Sequence, residues 1–342
     1  MNGYRVQGNY IDRVYTTVAQ FAAGAATVFA LNITSIVAEL QFRLTGTLTN
    51  AGYSVAPTKR VESIENLLAQ LRIVGNGKVT GAQSDAFVAA DAAYLAYKTR
   101  IMESTAPTRV DVGTTNAAYN FVSTFKHYFG AKRSGNASFY QSCFLDSRNL
   151  SAFTANFQWR DVTAMVEGGT GGTSTLSNVQ VAILSREYQG GPPTTRAPYV
   201  KVSQRQFDLT NLAGLSVPFK NAPVGNWMPR QTFKTMVGDT NFADPSDAVI
   251  ATTQRPEGAH IVTKQNGNYE WMNTTYLHQR DVDKTLYNLE SLPTGYCTLE
   301  YPGGLNLAKA ISLDNILDIT FTNSNTNTLQ ITDEEVVFSK AA

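Results

Sequence analysis

The sequence predicts an all-β protein made of two consecutive β-rich halves, each a β-sandwich or jelly roll. Three observations predict this class: one long segment alternates apolar and polar residues, many short strand-like segments are separated by Gly, Pro and Asn turns, and helical patterns are scarce. The scarcity of helices argues against repeated βαβ units, which need a helix after each strand.

The clearest element is the segment 36–48. Its apolar residues recur at every second position, which predicts a strand with one buried face. The other face carries Glu39, Gln41 and Arg43, and we expect it to meet solvent, another sheet or a neighbouring subunit. Typical strands have about 5–6 residues, so this length suggests the sheet of a large sandwich.

The rest of the first half predicts further strands, one helix, a turn or loop at 51–57 and two more turns or loops. Gly75-Asn76-Gly77 is expected to form a tight turn, and the glycine-rich run 168–172 a flexible loop. Residues 87–100 predict a helix, because they are rich in Ala, lack Gly and Pro, and follow Ser84, a good cap. The remaining predicted strands are 14–21, 27–33, 64–74, 110–112, 121–129, 136–145, 153–166 and 179–185.

The second half follows the best linker in the chain, Gly-Gly-Pro-Pro at 190–193. Residues 218–256 contain five prolines with repeated Gly, Asn and Asp, and predict a loop-rich region. A short helix is expected near 282–289. The predicted strands are 199–209, 259–263, 269–272, 295–300, 316–322 and 329–338.

Composition limits the classes of function. The chain has 342 residues, a net charge of +1 and only 16% charged residues, against about 25% in a typical globular protein. The balance of charge gives no sign of a nucleic-acid partner or an anionic surface. A low charged fraction instead suggests that much of the surface is buried in permanent protein contacts, where charge is depleted.

Neither the cysteines nor the N-terminal region indicates export or a membrane span. Cys143 and Cys297 lie too far apart in sequence to suggest a disulfide framework or a metal site. The first 13 residues are polar, unlike a signal peptide. Residues 14–38 carry no charge, but polar residues interrupt them, so two β segments are expected here rather than a transmembrane helix.

The titratable residues form no catalytic motif. The three histidines, His127, His260 and His278, lack the spacing of metal ligands and are expected to be scattered. Asp281 and Asp283 could hold a cation, but basic neighbours on both sides favour a salt-bridged or capping surface cluster. The acidic run 333–335 predicts a solvated turn. We therefore assign no catalytic, cofactor-binding or metal residue, and expect a protein that is not an enzyme and uses no cofactor.

Two alternative functions remain open at this point. Trp159, Trp227 and Trp271 could form the platform of a carbohydrate-binding or adhesin-like β-sandwich, although such residues are more often core or interface anchors. A β-sandwich enzyme would require His260 and His278 to converge with the two aspartates of the helix candidate.

The order of segments resembles one family. The long strand ends in Gly-Thr-Leu-Thr-Asn at 46–50, and a short loop leads to Glu-Asn-Leu-Leu-Ala-Gln-Leu-Arg-Ile-Val at 65–74, a turn and the Ala-rich segment. Gly-rich residues from 190 resemble a bridge into a second domain, and Thr-Gly-Tyr-Cys at 294–297 begins its closing strands. This pattern resembles the double jelly-roll major capsid proteins of tailless bacteriophages with an internal membrane, the adenovirus-hexon-like lineage.

The resemblance implies two consecutive eight-stranded jelly rolls with a few short helices. It divides the chain into an N-terminal arm (1–25), a first jelly roll (26–190) and a second (191–342). It implies a structural major capsid protein, made in the host cytoplasm, whose homotrimers form pseudo-hexagonal capsomers of an icosahedral virion. Its partners would be itself, neighbouring capsomers, minor capsid or penton proteins and the internal membrane, with no sequence-specific nucleic acid. Residues expected near that membrane are Tyr4, Arg5, Tyr10 and Arg13.

Overall fold

The computed structural model describes fifteen segments of the chain and divides it into two compact units. The first unit comprises residues 1–99, 105–130 and 141–199, and the second comprises the rest. The described residues are 10–15, 21–60, 62–77, 86–92, 109–129, 145–188, 199–208, 216–220, 227–237, 244–245, 260–265, 269–286, 294–300, 316–320 and 327–337.

The described elements are almost all strands. One α-helix lies among the described residues: α1, which spans Tyr276–Leu286. The strands of the first unit are β1 (Tyr10–Tyr15), β2 (Ala26–Ala30), β3 (Ile36–Ala51), β4 (Thr58–Lys59), β5 (Leu68–Gly77), β6 (Ala86–Ala92), β7 (Ala118–Tyr128), β8 (Leu145–Asp146), β9 (Leu150–Trp159), β10 (Val166–Glu167) and β11 (Thr173–Tyr188). Those of the second are β12 (Tyr199–Asp208), β13 (Ser216–Lys220), β14 (Trp227–Val237), β15 (Asp244–Pro245), β16 (His260–Gln265), β17 (Tyr269–Thr275), β18 (Tyr296–Glu300), β19 (Ile316–Thr320) and β20 (Asn327–Val337).

The strands of the first unit pair in the order of a jelly roll. One run of paired strands has the order β1-β11-β3-β7, and the other has the order β6-β5-β9-β2. Numbered 1 to 8 along the chain, with the two-residue strands left out, the eight long strands pair as 1-8-3-6 and 5-4-7-2. Two interlocked Greek keys produce this order.

The second unit repeats the same order. Its runs are β18-β14-β20-β12, with the short β15 also on β14, and β13-β19-β16-β17. Numbered in the same way, these are 6-3-8-1 and 2-7-4-5, the same pairings in reverse. The prediction of two consecutive eight-stranded jelly rolls is therefore confirmed. The exact division at residues 25 and 190 stays a prediction; β1, from the expected arm, is paired with β11.

Aromatic residues from both runs of the first unit fill its core. Phe42 on β3 is fully buried, stacks on Phe125 of β7 with ring centroids 5.1 Å apart, and meets Phe157 of β9 edge-on at 6.0 Å. Phe157 in turn stacks on Trp159. The alternation of β3 thus places its apolar face between the two runs, as the sequence predicts.

The opposite face of β3 changes character along the strand. Glu39 is only 2% exposed, whereas Arg43 is exposed. Lys126 and Arg186 approach the Glu39 carboxylate to 3.9 and 4.0 Å. The polar face is therefore covered at one end of the sheet and open to solvent further along.

Two predictions for the first unit are wrong. Residues 86–92 form strand β6, paired with β5, and not the start of a helix; residues 93–100 lie outside the described part. Gly75 to Gly77 belong to β5, with β6 on one side and β9 on the other, and do not form a turn. Pairing on both sides satisfies the backbone of these residues, which outweighs the local preferences of Ala and Gly.

Two predictions for the second unit are also wrong. The loop-rich region 218–256 contains β14, whose neighbours are β18 and β20. The acidic run 333–335 lies in β20, where Asp333 is fully buried and Glu334 is 6% exposed. The linker at 190–193 and the predicted strand 136–144 lie outside the described residues.

Candidate functional site

The best-defined surface is an end of the first unit where three loops meet, the loop end, formed by residues 52–57, 113–117 and 168–172. It lies where β3 and β11 finish their pairing at Ala51 and Thr173. The side chain of Asn116 bonds there to both backbone polar groups of Tyr53, as a paired strand would. Its Oδ1 accepts from the Tyr53 N–H at 3.0 Å, and its Nδ2 donates to the Tyr53 carbonyl at 2.9 Å. One amide side chain thus joins two loops.

Glycines give the loop end its shape. Gly168, Gly169 and Gly171 all have positive φ, at 66°, 88° and 79°, which side-chain-bearing residues rarely adopt. A Cβ on Gly169 would lie 2.6 Å from the Tyr53 ring, whereas one on Gly168 would meet nothing within 4 Å. The glycine run is therefore packed against Tyr53 as part of a defined surface.

Backbone and hydroxyl groups join the loop 168–172 and the start of β11 to the loop 52–57. Ser54 donates to the Thr170 carbonyl through both N–H and Oγ, at 2.9 and 3.0 Å, and the Thr170 N–H donates to the Val55 carbonyl at 3.0 Å. The Tyr53 hydroxyl lies 2.9 Å from Ser174 Oγ. Val55 is 61% exposed. The loop end is thus an uncharged, hydrogen-bonded surface that stands open to solvent.

A charged network supports the loop end from the side. Glu65 is buried and accepts from Arg109 Nε at 3.0 Å and from Ser123 Oγ at 2.8 Å. Asp111 accepts from Lys59 Nζ and from Arg109 Nη1, both at 2.7 Å. This network ties the segment before the 113–117 loop to β4 and β7.

The network shifts two pKa values. Burial opposes charge on Arg109, but its hydrogen bond and attraction to Glu65, together with those to Asp111, outweigh burial and raise its pKa. Burial also acts to raise the pKa of Asp111, but hydrogen bonds from Lys59 and Arg109 outweigh it and lower that pKa. Both groups are therefore charged at neutral pH.

The opposite end of the same sheet holds a buried carboxylate. Glu187 on β11 is 1% exposed, and its two oxygens accept from Ser35 Oγ and Ser185 Oγ, each at 2.6 Å. The Ser147 hydroxyl donates to the carbonyls of Ile33 and Ser35. These bonds join the start of β3, the end of β11 and the turn after β8.

In the second unit, α1 is bound to β18 through a buried aspartate. Asp283 Oδ2 accepts from the Thr298 N–H at 2.7 Å, and Gln279 Nε2 donates to the Thr298 carbonyl at 2.8 Å. Burial, and then the nearby Asp283, raise the pKa of the Cys297 thiol far above its ordinary range. The prediction of a surface cluster is wrong for Asp283, which is fully buried, although Asp281 is exposed.

A second buried carboxylate lies between strands of this unit. Asp333 on β20 accepts from Arg205 of β12 at 2.6 and 3.1 Å and from Gln231 of β14 at 2.7 Å. Its side chain is completely buried. Three neighbouring strands are thus joined by one ion pair and one amide.

The remaining candidates fall into different places. His127 is fully buried and meets Phe129 edge-on at 4.7 Å, so it is not a surface histidine, whereas His278 lies exposed on α1. Trp159 is a core residue, 1% exposed, which removes it from a sugar-binding platform. His260 begins β16.

The suspected membrane-proximal residues are only partly described. Tyr4 and Arg5 lie outside the described residues. The backbones of Tyr10 and Arg13 lie in β1, opposite Tyr188 and Ser185 of β11. Contact of these four residues with a membrane stays a prediction.

No three His, Cys, Asp or Glu residues in the described segments lie together so as to hold a metal ion. No helix in the same segments is long and apolar enough to cross a membrane.

The sequence predicts two of the three loops of the loop end, at 51–57 and 168–172. Nothing local marks Asn116 as the link to Tyr53, because the two residues are 63 positions apart. The sequence pattern assigns Glu65 only to a strand segment. The signal that could have marked it is a lone acidic residue within an apolar segment, which needs a cation or hydroxyls when buried.

Comparison with known proteins gives structural matches only. No protein-family model matches the sequence, and no curated protein matches it. The structure is similar to that of the major capsid protein of Sulfolobus turreted icosahedral virus, with 10% identity, 96% of this chain and 97% of that chain covered, and a TM-score of 0.67.

Two further solved structures are similar over nearly their whole length. The major capsid protein P2 of bacteriophage PM2 is 11% identical, with 97% of this chain and 98% of that chain covered and a TM-score of 0.54. A capsid chain of the virus PBCV-1 is 9% identical, with 100% and 99% covered and a TM-score of 0.56. These likenesses show that the chain has the double jelly-roll fold seen in viral major capsid proteins, as the resemblance in its sequence predicted.

Proposed function

We propose that this protein is the major capsid protein of an icosahedral virus and that three copies form a pseudo-hexagonal capsomer. The observation that carries the proposal is the repeated strand order: two units with the same eight-strand pairing lie in one chain. Three chains with two such units each supply six similar building blocks, the number that a pseudo-hexagonal tile needs. The low charged fraction, 16%, suits a chain whose side walls become interfaces.

The two ends of the first unit fit two sides of a shell. The loop end is exposed and held together by its own hydrogen bonds, which suits a surface facing the medium. At the other end, β1 begins at Tyr10 opposite Tyr188, where β11 finishes. In this proposal the loop end faces outwards and the chain enters the sheet from the inner side, next to the membrane.

Assembly of the purified protein tests the proposal. Sedimentation should give a trimer of about 112 kDa, from three chains of 37.3 kDa, and electron microscopy of the native particle should show pseudo-hexagonal capsomers. An obligate trimer interface buries about 2,000 Å² or more, so the trimer should remain the main species at the micromolar concentrations used for sedimentation. A stable, strictly monomeric protein would overturn the proposal.

The membrane contact has its own test. Basic residues contribute about 1 kcal/mol each near an anionic surface, and tyrosines suit the headgroup region. The trimer should therefore bind vesicles of phosphatidylglycerol, and the double variant Arg5→Gln/Arg13→Gln should bind them more weakly. Arg43→Gln, at an exposed position on β3, is the matched control. Equal binding by all three proteins would exclude the N-terminal contact.

The carbohydrate-binding alternative loses Trp159, which belongs to the core, and would have to rely on Trp227 and Trp271. The proposal includes minor capsid or penton proteins as partners and synthesis in the host cytoplasm.

A further inference from the structure

The two jelly rolls have the same strand order, so each long strand has an equivalent in the other unit. In both units strand 8 lies between strands 3 and 1: β11 between β3 and β1, and β20 between β14 and β12. Repeated architectures within one chain can exchange equivalent strands as they fold. Length separates them only in part, because β3 and β11 have 16 residues each and β14 and β20 have 11 each. A shorter strand can still pair along part of a longer one.

In the first unit, strand 8 carries a basic residue whose opposite residues on both sides are acidic. Arg186 of β11 stands directly opposite Glu39 of β3, and their side chains approach to 4.0 Å. Lys126 of β7 approaches the same carboxylate to 3.9 Å. On the other side of β11, Arg186 stands opposite Asp12 of β1 in the register. A nearly buried acidic residue of strand 3 thus meets a basic residue of strand 8.

In the second unit the signs are reversed. Arg230 of β14 stands directly opposite Glu334 of β20, with the side chains 3.8 Å apart and only 4% and 7% exposed. The adjacent Asp333 of β20 accepts from Arg205 of β12 at 2.6 and 3.1 Å. Strand 8 is therefore acidic here, and the residues that pair with it on strands 3 and 1 are basic.

The two ion pairs also occupy the same place along their strands. Glu39 and Arg230 are each the fourth residue of strand 3. Each pair adjoins a register shift, which falls between Arg186 and Glu187 in the first unit and between Trp227 and Arg230 in the second. A strand aligned in the wrong unit by its start would therefore bring the two sites together.

We propose that this reversal of sign prevents the two jelly rolls from exchanging strands as the chain folds. If β20 paired with β3, Glu334 would stand opposite Glu39, and if β14 paired with β11, Arg230 would stand opposite Arg186. Like charges directly opposite each other destabilise a sheet, above all where they are buried. Each mixed pair is then disfavoured by about tenfold or more. The inference concerns folding and does not depend on the proposed capsid function.

Reversing the charges of one unit tests the proposal. Arg230→Glu/Glu334→Arg keeps opposite charges within the second unit but gives them the signs of the first, so mixed pairs would no longer bring like charges together. After dilution of the full chain from urea in reducing buffer, the ratio of misfolded to native protein should rise about tenfold. Size-exclusion chromatography and circular dichroism give the two amounts.

Reversing both units should restore correct folding, because the two units then differ in sign again. The combined variant adds the substitutions Asp12→Lys, Glu39→Lys, Lys126→Glu and Arg186→Glu, and its ratio should return towards that of the wild type. If the ion pairs only stabilised their own units, the losses would add, and the combined variant would refold worse than either reversal alone. That result would overturn the proposal.

Two further variants complete the comparison. Reversal of the first unit alone replaces the second-unit variant if that protein does not fold, since the Arg186 side chain is 34% exposed and its site is the more tolerant. It should raise the ratio in the same way, and an unchanged ratio in both single-unit reversals would also contradict the proposal. Arg60→Glu/Glu167→Arg is the matched control, because it reverses a 2.9 Å ion pair outside the long strands, and it should leave the ratio unchanged.

Discussion

Strands β3 and β14 hold equivalent positions in the two jelly rolls, since each is the third long strand of its unit, yet they are built differently. In β3 apolar residues alternate with residues that are mostly less buried, and Phe42 packs into an aromatic core. In β14 consecutive residues from Arg230 to Phe233 are all buried, and most of them are polar. One strand is held mainly by its apolar face, and the other also by polar bonds within its sheet. The same topology can therefore be stabilised in two ways.

The difference explains which strand the sequence could reveal. A period of two appears only when one face is buried and the other is not, as in most of β3. β14 is buried on both faces, so Gln231 and Thr232 occupy positions that look solvent-exposed in the sequence. Pro229 strengthens that impression, because proline rarely lies within a paired strand. Pro229 lies between Trp227 and Arg230, where the register of β14 with β20 shifts. The regular pairing is interrupted at this point, so the backbone N–H that proline lacks is not needed there.

The largest effect is expected from the apolar strand. Phe42→Ala removes a fully buried ring that contacts aromatic residues of both runs, and should destabilise the first unit by about 3–5 kcal/mol. Urea unfolding followed by tryptophan fluorescence measures the loss. Arg43→Ala, one residue further along β3 and exposed, should change stability by less than about 0.5 kcal/mol. Equal effects of the two variants would contradict the assignment of the faces.

The polar strand should respond to loss of its buried carboxylate. Asp333→Ala removes one buried acceptor from both Arg205 and Gln231, and should cost about 2–3 kcal/mol, below the range for fully buried pairs because the Arg205 side chain is 26% exposed. The Cys297 thiol reports this change, because burial and its raised pKa make it unreactive in the folded unit.

Thiol labelling in a Cys143→Ser background should therefore become about 30- to 150-fold faster in Asp333→Ala, if labelling follows opening of the unit. Gln330→Ala, at a partly exposed site of the same strand, is the control and should leave the rate nearly unchanged. Equal labelling rates in Asp333→Ala and the parent protein would show that the ion pair adds little to this unit.

Sequence and structure agree where local pattern and tertiary environment coincide. The alternation in β3, the strand predicted at 199–209 and the glycine loop at 168–172 correspond to observed elements. The error at β6 arose because Ala favours a helix in isolation, while pairing with β5 decides the outcome. The Tyr53–Asn116 pair joins residues that are 63 positions apart in the chain. The Asp283 carboxylate accepts from the backbone N–H of Thr298, a group that every residue except proline carries. Residue type alone could therefore reveal neither bond.

The third expected effect, on the stability of the first unit, concerns the loop end. There the hydrogen bonds of the first unit join loops and not strands. Gly169→Ala combines an unfavourable positive φ with a Cβ 2.6 Å from the Tyr53 ring, and should cost about 1–3 kcal/mol. Gly168→Ala has a similar φ but open space, and should cost only about 1 kcal/mol. Calorimetry on both variants separates packing from backbone strain. Equal losses would show that Tyr53 moves away freely.

The smallest effect concerns Asp111, which shares a salt-bridge network with Lys59 and Arg109 beside the loop end. Its pKa is lowered in the folded protein from an ordinary value of 3.8, so the unfolded chain binds its proton more readily. The stabilisation is therefore complete well above pH 3.8 and is lost as the pH falls below that value through the folded pKa. Asp111 is partly exposed, so salt and water screen the network and its contribution is modest. Thermal unfolding of the wild type and of Asp111→Asn should differ at pH 7, and the difference should shrink as the pH falls below 3.8. A difference that persisted unchanged at pH 3 would mean that the Asp111 side chain stabilises the loop through the geometry of its hydrogen bonds and not through its charge. The first unit would then resemble the second, where buried polar side chains hold neighbouring strands together by hydrogen bonds.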